Sequence, residues 1–229
     1  MSEAQSLRYN VDLVMVIDVT GSMGHIIRQV KTAAIDFQQQ LAGRMSSKGK
    51  FIAQLRVRVV AFRDMYADQE CFVESRFYEL PAEHQEFADF VGALKAKGGG
   101  GDGPESGLEA LSLAMHSEWT KQGDRRRHVI VVWSDARPHP LESGQESVPK
   151  QMGERICRDF NQLTDKWESG QECGLDRNSR RLVLYAPDSI GWTEISDSWS
   201  QVIHFTSQAG KGLREFDLDT ILDALANSI

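Results

Sequence analysis

The chain has 229 residues, 41% hydrophobic and 26% charged, with a formal net charge of −7. This is enough apolar content for one α/β domain with a full core and leaves no obvious room for a second, while the acidic balance argues against nucleic acid, whose phosphates need a concentrated basic surface. The apolar runs fall far short of the ~20 residues of a membrane span, Met1–Asn10 lacks a signal pattern, and Cys71, Cys157 and Cys173 form no C-x-x-C pair, so a cytoplasmic chain without a zinc cluster is expected.

In chain order, residues 1–8 read as a short N-terminal extension and 9–229 as a single domain. Val11–Gly24 is an apolar strand that ends in Asp18-x-Thr20-x-Ser22. Alternate residues of an extended chain point the same way, so these hard oxygens can converge on one point and suit Mg²⁺, with Mn²⁺ or Ca²⁺ possible. The plainer account makes Ser22 a helix cap and gives Asp18 and Thr20 turn hydrogen bonds.

A helix follows through Ile26, Ile27, Val30, Phe37 and Leu41 to near Gly43. Then come a Val-rich strand over Phe51–Asp64, an antiparallel edge strand over Cys71–Leu80, and a helix over Glu83–Lys97. The loop Gly98-Gly-Gly-Gly101-Asp102-Gly-Pro104-Glu105 opens a helix to about Trp119. Asp102 admits two roles there: a cation ligand, or the cap of a capping box Asp102-x-x-Glu105. Ser106 is a weaker candidate ligand.

Arg127–Ser134 is another apolar strand, and it delivers Asp135. A Pro/Gly/Ser-rich loop over Arg137–Pro149, a helix marked by Met152, Ile156, Phe160, Leu163 and Trp167, strands at Arg181–Ala186 and Val202–Thr206, and a helix over Leu218–Ala226 complete the chain. Near the strand ends, Arg63 and Asp64 suggest a local ion pair, Trp133 a core position, and His139 an exposed loop histidine or a partner for an acid of the site.

The three acidic loops together resemble the metal-ion-dependent adhesion site of von Willebrand factor A domains, whose first loop reads D-x-S-x-S or D-x-T-x-S after a central strand. The likeness spans residues 9–229 and is nearest to intracellular, bacterial-type members. It implies a doubly wound, mostly parallel six-stranded sheet with helices on both faces and one antiparallel edge strand. It also implies Mg²⁺ held by Asp18, Thr20, Ser22, Asp102 and Asp135, the hydroxyls directly and the acids directly or through water.

The resemblance further implies a non-enzymatic adaptor or regulator that binds an acidic group of a partner protein through the ion. A Mg²⁺-dependent phosphohydrolase of haloacid-dehalogenase type is the alternative, but that class needs D-x-D, and Thr20 stands where the second acid would act as general acid and base. A structural domain with a degenerate site is a third reading, opposed by the intact ligand set. Finally, bases gather at strand starts, with Arg125, Arg126, Arg127, Arg177, Arg180 and Arg181 marking either a solvated face or a second surface for an acidic partner.

Overall fold

The first strand, β1 (Leu7–Asp18), shows how alternation builds the molecule: Leu13, Met15 and Ile17 enter the core on one face of the sheet, and Val14 and Val16 the core on the other. A strand buried on both faces reads as a continuous apolar run, as central parallel strands do. The computed structural model describes residues 7–33, 36–101, 103–143 and 146–229.

The helices α1 (Gly24–Ala33) and α2 (Phe37–Ser46) follow β1, so the expected single helix is described as two helical runs. Next come β2 (Lys50–Phe62), the short strands β3 (Phe72–Glu74) and β4 (Tyr78–Leu80), and α3 (His84–Ala93). After the glycine loop lie α4 (Gly107–Met115), β5 (Arg126–Trp133), α5 (Phe160–Ser169), β6 (Arg180–Pro187), α6 (Trp192–Ser198), β7 (Val202–Ser207) and α7 (Leu218–Ser228).

The sheet order is β3-β2-β1-β5-β6-β7, with β4 also on β2. All pairings are parallel except those of β3 and β4 with β2. The strand count is seven because the antiparallel edge expected as one strand is two short segments, separated where Ser75 turns its hydroxyl back to accept from the Val59 N–H. Residues from α1, α2, α3 and α7 fill the core on one face, and residues from α4, α5 and α6 the core on the other.

Two helix starts carry the capping chemistry expected of aspartate. Asp159 accepts from the Gln162 N–H at 2.7 Å and Asp217 from the Thr220 N–H at 2.8 Å. The helix expected from Met152 therefore begins only at Phe160, behind its cap.

Successive strands are added to one side of β1 and then, from β5 onward, to the other. The carboxyl ends of β1 and β5 therefore splay apart at a topological switch point, where open α/β sheets form a crevice.

Candidate metal centre

The chain leaves β1 in extended conformation at Thr20 (φ −70°, ψ 170°) before a single 3-10 turn over Gly21–Met23. Asp18 is fully buried. Its Oδ1 accepts both the backbone N–H of Thr20 at 2.9 Å and the Thr20 hydroxyl at 2.6 Å, and its Oδ2 accepts the Ser134 hydroxyl at 2.9 Å. The Ser22 hydroxyl donates to Asp135 Oδ1 at 2.9 Å and lies 3.5 Å from Thr20 Oγ1.

Thr20, Ser22 and Asp135 line one cleft of about 540 Å³, together with Glu105, Arg137, Asp188 and three glycines of the 98–103 loop. Asp18 stands one step behind, holding Thr20 in place.

This arrangement fits a hard divalent cation. Each hydroxyl proton is directed onto a carboxylate, which leaves hydroxyl lone pairs for an ion. Among the described residues no three His, Cys, Asp or Glu side chains group as metal ligands, and the Thr20 and Ser22 hydroxyls are further oxygen donors lining this cleft. The site also carries more buried negative charge than it neutralises: burial, with a further contribution from Asp135, lifts the Asp18 carboxyl from 3.8 to about 6 despite its hydrogen bonds from Thr20 and Ser134.

Asp102 lies outside the described residues. The capping box proposed for it is corrected at its other end, because α4 starts at Gly107 behind Ser106, and Glu105 sits before the helix in a short parallel bridge to Pro138. The Glu105 N–H donates to the Arg137 carbonyl and its carbonyl accepts from the His139 N–H. Its side chain is buried and turned to the cleft, where a Cβ on Gly99 would lie 2.7 Å from Glu105 Oε1 and 3.0 Å from Thr20. Only glycine fits between them.

A fourth loop, after β7, escapes sequence reasoning altogether. The Gly212 N–H donates to Asp135 Oδ2 at 2.7 Å and the Gly210 N–H to the Asp135 carbonyl at 2.8 Å. Gly212 has φ +63°, and a Cβ there would meet the Ser22 carbonyl at 2.3 Å. Its only sequence signal is the pair of glycines flanking Lys211. Gly212→Ala is expected to displace Asp135 and Ser22 together, weakening Mg²⁺ binding about tenfold and lowering stability by roughly 1–2 kcal/mol. Isothermal titration with the ion and a chemical-denaturation curve check both.

Several neighbours differ from expectation. Arg63 does not pair with Asp64; its guanidinium donates to the carbonyls of Glu70, Lys95 and Lys97, tying down the chain ahead of the glycine loop. Asp64 faces His139, whose Nε2 lies 3.3 Å from Asp64 Oδ1 in a largely buried contact, so His139 is not an exposed loop residue. The Ser106 hydroxyl accepts from the Met65 N–H and serves the turn. Trp133 is buried, as expected.

At the opposite end, Arg180 is removed from the basic surface. It is fully buried against Glu168, Ser200 and the Trp167 ring. Arg126 pairs with Asp176, and Arg127 stacks on Tyr9.

The sequence profile of a family described as von Willebrand factor A domain matches residues 12–207. Alpha-protein kinase vwkA of Dictyostelium discoideum is 29% identical over 133 residues, covering 58% of this chain and 19% of the relative. The crystal structure of the pilus adhesin SpaC from Lactobacillus rhamnosus GG superposes with a TM-score of 0.53 at 9% identity, over 95% of this chain and 30% of the adhesin. The chain thus spans less than a third of either protein, and the adhesin likeness is one of fold. No helix among the described residues is long and apolar enough to cross a membrane.

Proposed function

The chain belongs to the von Willebrand factor A domain family, and from that premise we propose that it is a divalent-cation-dependent protein-interaction module, an adaptor or regulator of the cytoplasm without catalytic activity of its own. The observation that carries this reading is the pairing of two hydroxyls with two carboxylates at one cleft: Thr20 on Asp18 and Ser22 on Asp135. Thr20, Ser22 and Asp135 would hold Mg²⁺, Asp18 would orient Thr20, and Asp102 and Glu105 are the further acids of the second loop. Bound there, the ion supplies an open coordination position for a carboxylate of a partner protein.

Catalysis of the phosphohydrolase type has less support. Both oxygens of Asp18 are engaged by Thr20 and Ser134, which opposes a nucleophilic role, and Thr20 offers no acid to protonate a leaving group. The kinase named in the Dictyostelium relative belongs to a protein of which this chain covers 19%. A chain of this kind fits the docking part of such a system.

The test is ion binding with and without the pairing. Ser22→Ala and Asp135→Ala are each expected to weaken Mg²⁺ by more than about tenfold with folded circular-dichroism spectra intact, and to release partners retained by the wild-type chain in Mg²⁺ and lost in chelator. Unchanged Mg²⁺ affinity in both variants would remove the ion from this site.

A further inference from the structure

Large apolar side chains are exposed at four places among the described residues. Phe51 lies near the start of β2, Ile203 on the edge strand β7, and the remaining two, Tyr66 and Ile190, stand at the carboxyl ends of the strands on either side of the cleft. Ile190 is 82% exposed and Tyr66 42%.

Neither is loosely placed. The Tyr66 ring packs edge-on against His139 with centroids 4.5 Å apart, and its N–H donates to Asp64. Ile190 tops a turn in which the Thr193 hydroxyl donates to Asp188 Oδ1 at 2.6 Å and the Thr193 N–H to the Ser189 carbonyl. The next residue, Gly191, approaches Pro138 so closely that a Cβ would lie 2.6 Å from its ring. The segment from Ala136 to His139, which carries the cleft-lining Arg137, is therefore gripped between the two loops. Fixing an 82%-exposed isoleucine on a rigid turn has no benefit for folding, since its apolar surface stays in water.

Their spacing identifies what would cover them. Tyr66 follows β2 and Ile190 follows β6, with β1 and β5 between them. At about 4.8 Å per strand the two loops are roughly 14 Å apart, and the Asp18 and Asp135 loops lie midway. An extended peptide advances about 3.3 Å per residue, so positions four apart span roughly 13 Å and point to the same side.

We propose that the partner segment is an extended strand crossing the carboxyl ends of β2, β1, β5 and β6. It presents an acidic residue to the cleft and apolar side chains two residues before and two residues after it, seated on Tyr66 and Ile190. Arg137, exposed in the cleft rim without an ion-pair partner among the described residues, adds positive charge beside the acid. The inference rests on the ion-dependent reading above and names the partner's pattern.

The experiment uses the 229-residue chain in Mg²⁺ and fluorescent peptides built on Gly-Leu-Ser-Asp-Ser-Leu-Gly, read by anisotropy. Replacing both leucines by serine is expected to cost on the order of a hundredfold in affinity, about tenfold for each apolar side chain. Moving them next to the aspartate, as Leu-Asp-Leu, should cost about as much. Ile190→Ser and Tyr66→Ala should each remove about tenfold from the leucine peptide and nothing from the serine peptide, with Mg²⁺ affinity unchanged.

Equal affinity for the leucine and serine peptides in Mg²⁺, both lost in chelator, would overturn the flanking contacts and leave the ion reading standing. Leucine-peptide binding that survives chelator and an Asp→Asn peptide would uphold the contacts with Tyr66 and Ile190 and overturn the ion reading. Binding of no peptide by a chain that still binds Mg²⁺ would overturn the proposed strand pattern and leave the ion site standing.

Discussion

Replacing Asp18 by Asn is expected to make the ion-free chain more stable at pH 7 while lowering its Mg²⁺ affinity by more than about tenfold. The folded carboxyl sits at about 6 against 3.8 when exposed, chiefly through burial. Below 3.8 both states are protonated and Asp18 has no effect. Between 3.8 and about 6 the folded chain holds a proton the unfolded chain has released, so stability falls as pH rises; above 6 the loss is complete. A shift of that size is worth on the order of 3 kcal/mol at neutral pH.

Asn keeps the shape and the acceptor for Thr20, and Ser134 can turn its hydroxyl to the Ala136 carbonyl, 3.3 Å away. Urea titrations in chelator at pH 4, 6 and 7.5 test the idea. The variant should gain on wild type between the first two points and stay ahead at the third, and added Mg²⁺ should close the gap by stabilising only the wild type. A variant less stable than wild type at pH 7.5 in chelator would show that Asp18 is not a charge held in waiting for a cation.

The parts of this site visible in the sequence share one property: local periodicity delivers them. Asp18 and Asp135 end apolar runs, and Thr20 and Ser22 follow at alternate positions, so strand geometry alone aims them. Helices were legible for the same reason, and the edge strand split where Ser75 intervenes because a run of β-prone residues does not report which of them finds a partner. What escaped was set by contacts between segments distant in sequence. Gly212 clamps Asp135 across 77 residues, and the two glycines flanking Lys211 do not say which distant residue they meet. Arg63 and Asp64, adjacent in sequence, invited a local pairing that the fold refuses, since consecutive residues of an extended segment face opposite ways and each meets a different loop. Arg180 looked like surface charge by composition, yet Glu168 and Ser200 accept from its terminal nitrogens in the interior. The basic cluster thereby loses one member to the core.

Glu109 supplies a test of the interior beside the site. It lies on α4 with 0% of its surface exposed, and beyond its own backbone N–H neither carboxylate oxygen has a hydrogen-bond partner among the described residues. Burial, with some contribution from Asp64, raises its carboxyl from 4.5 to about 8, so the acid is neutral in the folded chain at pH 7. Between 4.5 and 8 the folded state holds the proton that the unfolded state releases, and stability falls by up to about 1.4 kcal/mol per pH unit. Above 8 both states are ionised and the dependence ends.

Over the window from pH 6.5 to 8, comparison with a variant that cannot ionise isolates this residue. Asp18 has largely finished titrating there, and burial shifts His116 and His128 downward and all three cysteines upward, contributions that wild type and a Glu109 variant share and that cancel in their difference. Relative to such a variant, wild-type chain is therefore expected to lose about 2 kcal/mol of unfolding free energy across that window. Glu109→Gln, equal in size but unable to ionise, should lack that loss.

Because Glu109 is not among the residues lining the cleft, the two slopes should differ by the same amount in Mg²⁺ and in chelator. Parallel profiles for wild type and variant would mean that the Glu109 carboxylate meets compensating polar groups when it ionises. A slope difference that vanished on adding Mg²⁺ would place Glu109 in electrostatic contact with the ion and draw the boundary of the metal centre one helical turn deeper into α4.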